Sequence, residues 1–277
     1  LTLLLVAFKV KGGILLGIAG TAAMGVIFKI IPLPQQVFQV PHPQSFSTFF
    51  KVDLAGAVVE SGMINIIALT MVFALFMADF FGSLGTVMGV GQKAGLIDGK
   101  GNFPGLKKVL LIDSLGTIGG GILGTGPVTT HAESASGVSE GGRTGIMPAV
   151  TGILFLVSIF FMPLIATVGG GVLTSPGIYR YPVTSPALII TGFLMMEAIS
   201  KIDFKDLEIG IPALLTIIIM PFTSNIFYGI GFGFISYTII KLFKGKFRQL
   251  HPLMIITSVL FAAAFTAEKL AQGLTGF

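Results

Sequence analysis

The chain has 277 residues, of which 53% are hydrophobic and only 10% charged, with 38 glycines and a mean hydropathy of +0.94. Soluble domains carry about 25% charged residues, and disordered chains combine low hydrophobicity with high charge, so both classes are excluded. The net charge of +5 is to be read loop by loop as membrane topology before nucleic acid is invoked. Cysteine is absent, which removes disulfides, thiolate catalysis and Cys-ligated metal. The three histidines, His42, His131 and His251, lie far apart, so no metal site and no cofactor are expected. The expectation is an all-α polytopic membrane protein with about seven to nine spans at ~20 apolar residues each.

Apolar runs place partial or complete spans at 1–8, 13–31, 63–90, 109–125, 132–138 (short), 147–168, 186–199, 209–222, 226–243 and 252–265. The first run starts at Leu1 with no basic segment before it and no small-residue cleavage site after it. It is expected to be the tail of a membrane segment rather than a signal peptide. Pro32–Pro43 reads as an extended extracytoplasmic loop, and 49–59 as an amphipathic interfacial helix. The run at 63–90 is over-long and holds Asp79, Gly82, Gly85 and Gly89 in its second half, so its C-terminal end is expected to be irregular or to leave the membrane. Basic residues cluster on alternate loops: Lys9 and Lys11; Lys93, Lys100, Lys107 and Lys108; Arg143; Lys201 and Lys205; Lys241, Lys244, Lys246 and Arg248. These loops are expected to be cytoplasmic. Several spans are short or broken by glycine, as in transporters with discontinuous helices.

Ionisable groups at membrane depth are costly and point to function. Asp79, Asp113 and Glu133 fall inside apolar runs. The stretch 124–137, GTGPVTTHAESASG, is the most informative. Gly126-Pro127 disfavours helix, Val128-Thr129-Thr130 is β-branched and suits extended chain, and Thr130-x-x-Glu133 matches a capping box that starts a short helix. The spacing predicts extended backbone over 127–130 and a helix starting near 130–132. Irregular backbone at that depth lines a cavity or is buried in protein. Two readings of Glu133 stay open: a cap for its own helix, or a ligand group. His131 is either a packing residue or a proton relay, and Asp113 either titrates or pairs with neighbouring donors. Gly82-Ser-Leu-Gly-Thr86 and Asp113-Ser-Leu-Gly-Thr117 share an SLGT core; small residues of this kind let helices approach closely, or flank a site. Gly141-Gly-Arg-Thr-Gly145 lacks the GxxxxGK[ST] phosphate loop and reads as a tight turn.

Phe80-Phe-Gly-Ser-Leu-Gly-Thr86, Leu111-Ile-Asp-Ser-Leu-Gly-Thr117, Thr129-Thr-His-Ala-Glu-Ser-Ala-Ser-Gly137 and Gly141-Gly-Arg-Thr-Gly145, with Pro186–Met195 and Ile211–Thr216, resemble the nucleobase–cation symporters of the xanthine/uracil permease superfamily. The adenine/guanine/hypoxanthine branch is the most similar. The resemblance implies fourteen spans in two inverted seven-span repeats, each giving four helices to a core domain and three to a gate domain. On this reading 1–62 is the end of the first repeat with an extracytoplasmic linker, 63–168 the core spans of the second repeat, and 169–277 its gate spans and C-terminal segment. Most of the first repeat is then expected to lie outside this chain.

The resemblance also implies that substrate lies between two half-helices, each preceded by a short strand, one such strand being Pro127–Thr130. Glu133 matches the carboxylate that holds the nucleobase, with Ala132 and Thr130 beside it, and the span from Asp79 to Thr86 is the helix facing it. The permeases usually carry an acidic residue where this chain has Gly82. The implied function is secondary active uptake of a purine base, not an enzyme, with Glu133, Asp113 and His131 as proton-coupling candidates. The implied partners are a small-molecule nucleobase, a coupling ion (H⁺ or Na⁺), the lipid bilayer of the cell membrane and a second copy of the chain in a homodimer; nucleic acid is not among them. The same fold carrying uracil, xanthine or a small anion is the alternative. More remote are an intramembrane aspartyl enzyme built on Asp79 and Asp113, and a channel.

Overall fold

The computed structural model describes residues 1–60, 63–99, 101–175 and 178–275; Lys100, counted above among the basic loop residues, lies outside them. Helices follow the apolar runs closely. They are α1 (Thr2–Ala7), α2 (Gly13–Ile27), α3 (Ile66–Ala94), α4 (Leu106–Ile122), α5 (Ser134–Ser139), α6 (Ile146–Ser158), α7 (Met162–Gly169), α8 (Ser185–Met195), α9 (Leu207–Thr223), α10 (Ile226–Phe243) and α11 (Pro252–Thr275). A 3₁₀ turn at Ile159–Phe161 joins α6 to α7, whose second residue is Pro163. Among the described residues, the strands form two short antiparallel hairpins: β1 (Val59–Glu60) with β2 (Met63–Ile64), and β3 (Val172–Ser175) with β4 (Ile178–Arg180). Among the described residues, four helical segments are long and apolar enough to cross a membrane: Ile66–Ala94, Ile146–Gly169, Ile226–Phe243 and Pro252–Lys269. The all-α polytopic class follows.

The irregular end expected for the third run, though not its exit from the membrane, and the interfacial helix at 49–59 are not found. The glycine-bearing half of the third run does not become irregular: α3 continues for 29 residues to Ala94. Glycine weakens helices where water competes for the backbone, but in apolar surroundings the intrahelical hydrogen bonds have no competitor. The interfacial helix at 49–59 is likewise replaced by turns. Asp53 Oδ1 accepts from Gly56 N at 2.8 Å, an Asx-type bond that competes with helix formation.

The chain forms two compact units. One comprises Leu1–Phe49, Thr86–Leu106 and Thr130–Glu197; the other Phe50–Gly85, Lys107–Thr129 and Ala198–Phe277. In the first, α1 packs on α2, with Gly17 leaving room for Thr2, and both contact α8. Phe38 of the long loop stacks on Phe160 at 5.8 Å, and Gln39 N donates to Phe160 O at 2.8 Å.

The second unit is held by aromatic rings. Met77, Phe227, Ile230, Phe261 and Ala264 are buried together, with Phe73, Phe81, Phe234 and Phe265 against them. Phe227 and Phe261 lie 5.0 Å apart, Phe81 and Phe234 5.1 Å, spacings at which ring pairs attract beyond simple burial. Glycines set the helix approach. A Cβ on Gly233 would meet Thr216 Oγ1 at 2.1 Å, and one on Gly231 would meet Phe265 at 2.4 Å. At the α9–α10 end, the Glu208 carboxylate is buried and takes three lysines, Lys241, Lys244 and Lys246.

Candidate functional site

The exposure pattern of α4 turns the soluble rule outward. Leu111, Ile112, Leu115 and Ile118 are exposed, whereas Asp113, Gly116, Thr117 and Gly120 are covered to varying degrees. Their spacing of three and four residues places them on one face. Apolar side chains facing lipid and small or polar ones facing protein are what a bilayer selects.

The helix ends in a Schellman motif. Gly124 sits at φ +72°, Thr125 N donates to Gly120 O at 2.9 Å and Gly124 N to Gly121 O at 3.0 Å. This arrangement satisfies terminal carbonyls and reverses the chain. The returning residues lie directly on α4. A Cβ on Gly120 would stand 2.6 Å from Gly126 O and 2.9 Å from Val128 Cγ2, and one on Gly116 3.4 Å from Val128 O. Glycine at these two positions is therefore what lets a non-helical main chain run along the helix.

Asp79, halfway along α3, meets this arrangement. Thr117 Oγ1 lies 3.2 Å from Asp79 Oδ2 and 3.4 Å from Val128 O. One hydroxyl proton thus faces two acceptors. The other carboxylate oxygen, Asp79 Oδ1, is buried without a hydrogen-bond partner among the described residues, and so is Ser83 Oγ, one turn further along. Ser83 is only 1% exposed. Sequence reasoning identified Asp79 but missed Thr117, Ser83 and the Val128 carbonyl as its companions. The available signal was spacing: Ser83 stands four residues after Asp79, and Thr117 four after Asp113.

Residues 126–131 carry no regular secondary structure. The strand expected at 127–130 has no ladder partner there; Val128 O faces Thr117 instead. The helix also begins later than the capping box suggests. Its first residue is Ser134, and Glu133 is the N-cap residue, with φ −58° and ψ −21° and no capping bond from its side chain. Tight turns precede it: Ser134 N, Ala135 N and Ser136 N donate to the carbonyls of His131, Ala132 and Glu133. The Ser136 hydroxyl donates back to Glu133 O at 2.7 Å. Backbone and serine thus satisfy this terminus, and the Glu133 carboxylate is left exposed on the chain, as is His131. Ala132 and Thr130 flank them, half-covered. Arg143, read above as a loop marker, has a structural role that sequence reasoning missed: its guanidinium donates to Val138 O and to Gly142 O, fastening the end of α5.

The remaining sequence candidates lie on α3. Gly82 is half-covered, and a Cβ there would meet nothing within 4 Å; Thr86 is half-covered. Among the described residues, no group of three or more His, Asp or Glu gathers as a metal centre would require.

Comparison with known proteins agrees with the helical, lipid-facing architecture. Residues 1–232 match the model of a permease family, the xanthine/uracil type. The chain is 35% identical over 262 residues to the guanine/hypoxanthine permease PbuO of Bacillus subtilis, covering 94% of this chain and 57% of that protein. It is 37% identical over 268 residues to PbuG of the same organism, a guanine/hypoxanthine permease, covering 97% and 57%. With the adenine permease AdeQ of Escherichia coli it shares 36% over 249 residues, covering 90% and 52%. The chain thus spans a little over half the length of these relatives. With a family match over most of its residues, it belongs to the xanthine/uracil permease family, as a multi-pass membrane protein of the purine branch.

Proposed function

We propose that the full-length protein carrying this chain takes up a purine nucleobase (adenine, guanine or hypoxanthine) across the cell membrane as a secondary active transporter. The observation that carries the reading is Glu133. Its carboxylate stands at the start of a short helix, after a non-helical stretch, and makes no capping bond. A carboxylate not consumed by its own helix is available to accept two N–H bonds from a flat, neutral base. The names of the relatives, adenine and guanine/hypoxanthine permeases, support the substrate class.

In this reading Glu133 holds the base, Ala132 and Thr130 lend contacts beside it, and Asp79, Gly82 and Thr86 are further substrate-side positions. Transport is coupled to H⁺ or Na⁺; for H⁺, Glu133, Asp113 and His131 are the exchanging groups. The inverted-repeat plan, with 1–62 closing the first repeat, 63–168 supplying core spans and 169–277 gate spans, belongs to the same proposal, as does a homodimer. Gly82, where an acidic residue is usual in the resemblance, favours a second reading in which the same fold carries uracil, xanthine or a small anion.

The test is competition uptake of radiolabelled purines by the full-length protein in cells lacking purine permeases. Glu133→Gln keeps the shape and removes the charge. Loss of one acceptor from a bound base costs ~1–3 kcal/mol, so the expected result is normal expression with affinity weakened roughly tenfold to a hundredfold. Wild-type affinity in Glu133→Gln would overturn the assignment, and uptake competed by uracil or xanthine but not by purine bases would favour the second reading.

A further inference from the structure

Three ammonium groups from the end of α10 and the loop after it converge on Glu208, which is buried at the start of α9. Lys241 Nζ stands 2.5 Å from Oε2, while Lys244 Nζ and Lys246 Nζ stand 2.9 Å and 2.5 Å from Oε1. One lysine would neutralise the carboxylate, and Lys241 is the one built in. Its side chain is 11% exposed, it donates to Gln249 Oε1 at 3.0 Å, and it lies over the Tyr237 ring. Lys244 and Lys246 differ. Their side chains are 50% and 41% exposed, and each ammonium has Glu208 as its one acceptor among the described residues. Two cations on a single oxygen are close neighbours and repel, and each has protons to spare on its outer side. Arg248 is exposed and has no hydrogen-bond or ion-pair partner among the described residues. Positive charge here exceeds what Glu208 can balance, so the partner these groups lack is an anion.

The position says which anion. α10 and α11 are each long and apolar enough to cross a membrane, so residues 244–251, which join them, lie where the bilayer meets water. The basic residues of this loop mark it as cytoplasmic, on the side of the leaflet that carries anionic lipids. Beside the lysines in the chain stand large apolar side chains turned outward: Phe243 is 90% exposed, and Leu242 and Phe247 are exposed as well. Cations interleaved with exposed rings at this depth fit a ligand with phosphate at one end and hydrocarbon at the other. We propose that Lys244, Lys246 and Arg248 bind the headgroup phosphate of an anionic phospholipid, with its acyl chains along Phe243 and Phe247. Glu208 and Lys241 hold the two outer lysines in place. A zwitterionic headgroup brings its own cation and leaves the excess charge unmet. The four basic residues lie beyond 1–232, the stretch that matches the permease family, and the inference does not rest on the purine reading.

The experiment is done without nucleobase. Full-length protein, stripped of lipid in non-ionic detergent, is titrated in mixed micelles with phosphatidylglycerol or phosphatidylcholine. Bound lipid is counted by native mass spectrometry, and thermal unfolding is followed. The wild type is expected to retain phosphatidylglycerol over phosphatidylcholine and to unfold at a higher temperature with it, and both effects should fade as salt is raised. Lys244→Gln combined with Lys246→Gln should weaken phosphatidylglycerol roughly thirtyfold, about fivefold for each lysine at a membrane surface, and abolish the preference between the two lipids. Lysines that served only to seat Glu208 would instead lower the unfolding temperature equally in both lipids. Lys107→Gln combined with Lys108→Gln removes the same charge at the start of α4 and should bind as wild type. If the first double variant fails to fold, its two single variants carry the test. Equal retention of the two lipids by the wild type, an unchanged preference without Lys244 and Lys246, or the same loss without Lys107 and Lys108 would each overturn the site. A thermal shift of equal size with glycerol 3-phosphate would make it a site for soluble anions and overturn the lipid.

Discussion

The tetrapeptide Ser-Leu-Gly-Thr occurs on both α3 and α4, and the two copies present different members to the protein. On α3 the serine is turned inward: Ser83 is 1% exposed. A Cβ on Gly85 of that copy would meet nothing within 4 Å. On α4 the serine is exposed and bonds only its own helix, Ser114 Oγ donating to Leu110 O at 2.9 Å. There the glycine and threonine face inward, Gly116 against Val128 and Thr117 against Asp79. The aspartate decides which member is used. Asp79 lies four residues before Ser83, and Asp113 four before Thr117; residues four apart share a helix face. A motif is therefore read through its phase relative to a neighbouring anchor, and identical letters do not imply identical environments.

The largest expected effect comes from the packing that α4 alone has. Gly120→Leu would set a branched side chain where even a Cβ falls 2.6 Å from Gly126 O. Overpacking of this kind costs about 3 kcal/mol or more; a full-length variant with unchanged unfolding temperature in detergent would remove the close α4 contact from the comparison. Next come the two threonines. Thr117→Val deletes the hydroxyl shared by Asp79 and Val128, a hydrogen bond to a charged group worth ~1.5–3 kcal/mol, whereas Thr86→Val is expected to stay within about 0.5 kcal/mol. Equal unfolding temperatures for the two variants would mean that the α4 copy has no special partner. The smallest difference concerns the glycines. Gly85→Ala, in open space on a helix, should stabilise by up to ~1 kcal/mol. Gly116→Ala should gain less, because its methyl meets Val128 O at 3.4 Å. A larger gain at Gly116 would reverse the assignment of inward faces.

The helices were legible because a bilayer imposes length and apolarity on its spans; α10 begins and ends where its apolar run does. Legibility fell where local chemistry and surroundings disagree. Glycines in α3 suggested a break that the apolar environment does not permit. The Thr130–Glu133 pattern placed the α5 start early, since a capping box is a local pattern and the turns from His131 to Ser136 satisfy the same donors through backbone. The site was legible residue by residue but not as a set. Asp79 stood out as a charge in an apolar run, while Thr117, 38 positions away, is chosen by how two helices are rotated. Glu208 and its three lysines were legible only as loop charges, because their pairing needs α9 and α10 side by side.

Gly82 has a consequence for descent as well as for chemistry. Glycine codons become aspartate or glutamate codons by one change at the middle base. A Cβ at this position would meet nothing within 4 Å, so the first carbon of such a side chain meets no obstacle. An acidic residue at 82 is thus genetically adjacent, and its Cβ finds open space. Any ligand preference that depends on a carboxylate at this position is one base change away, on the timescale of point mutation rather than of domain rearrangement.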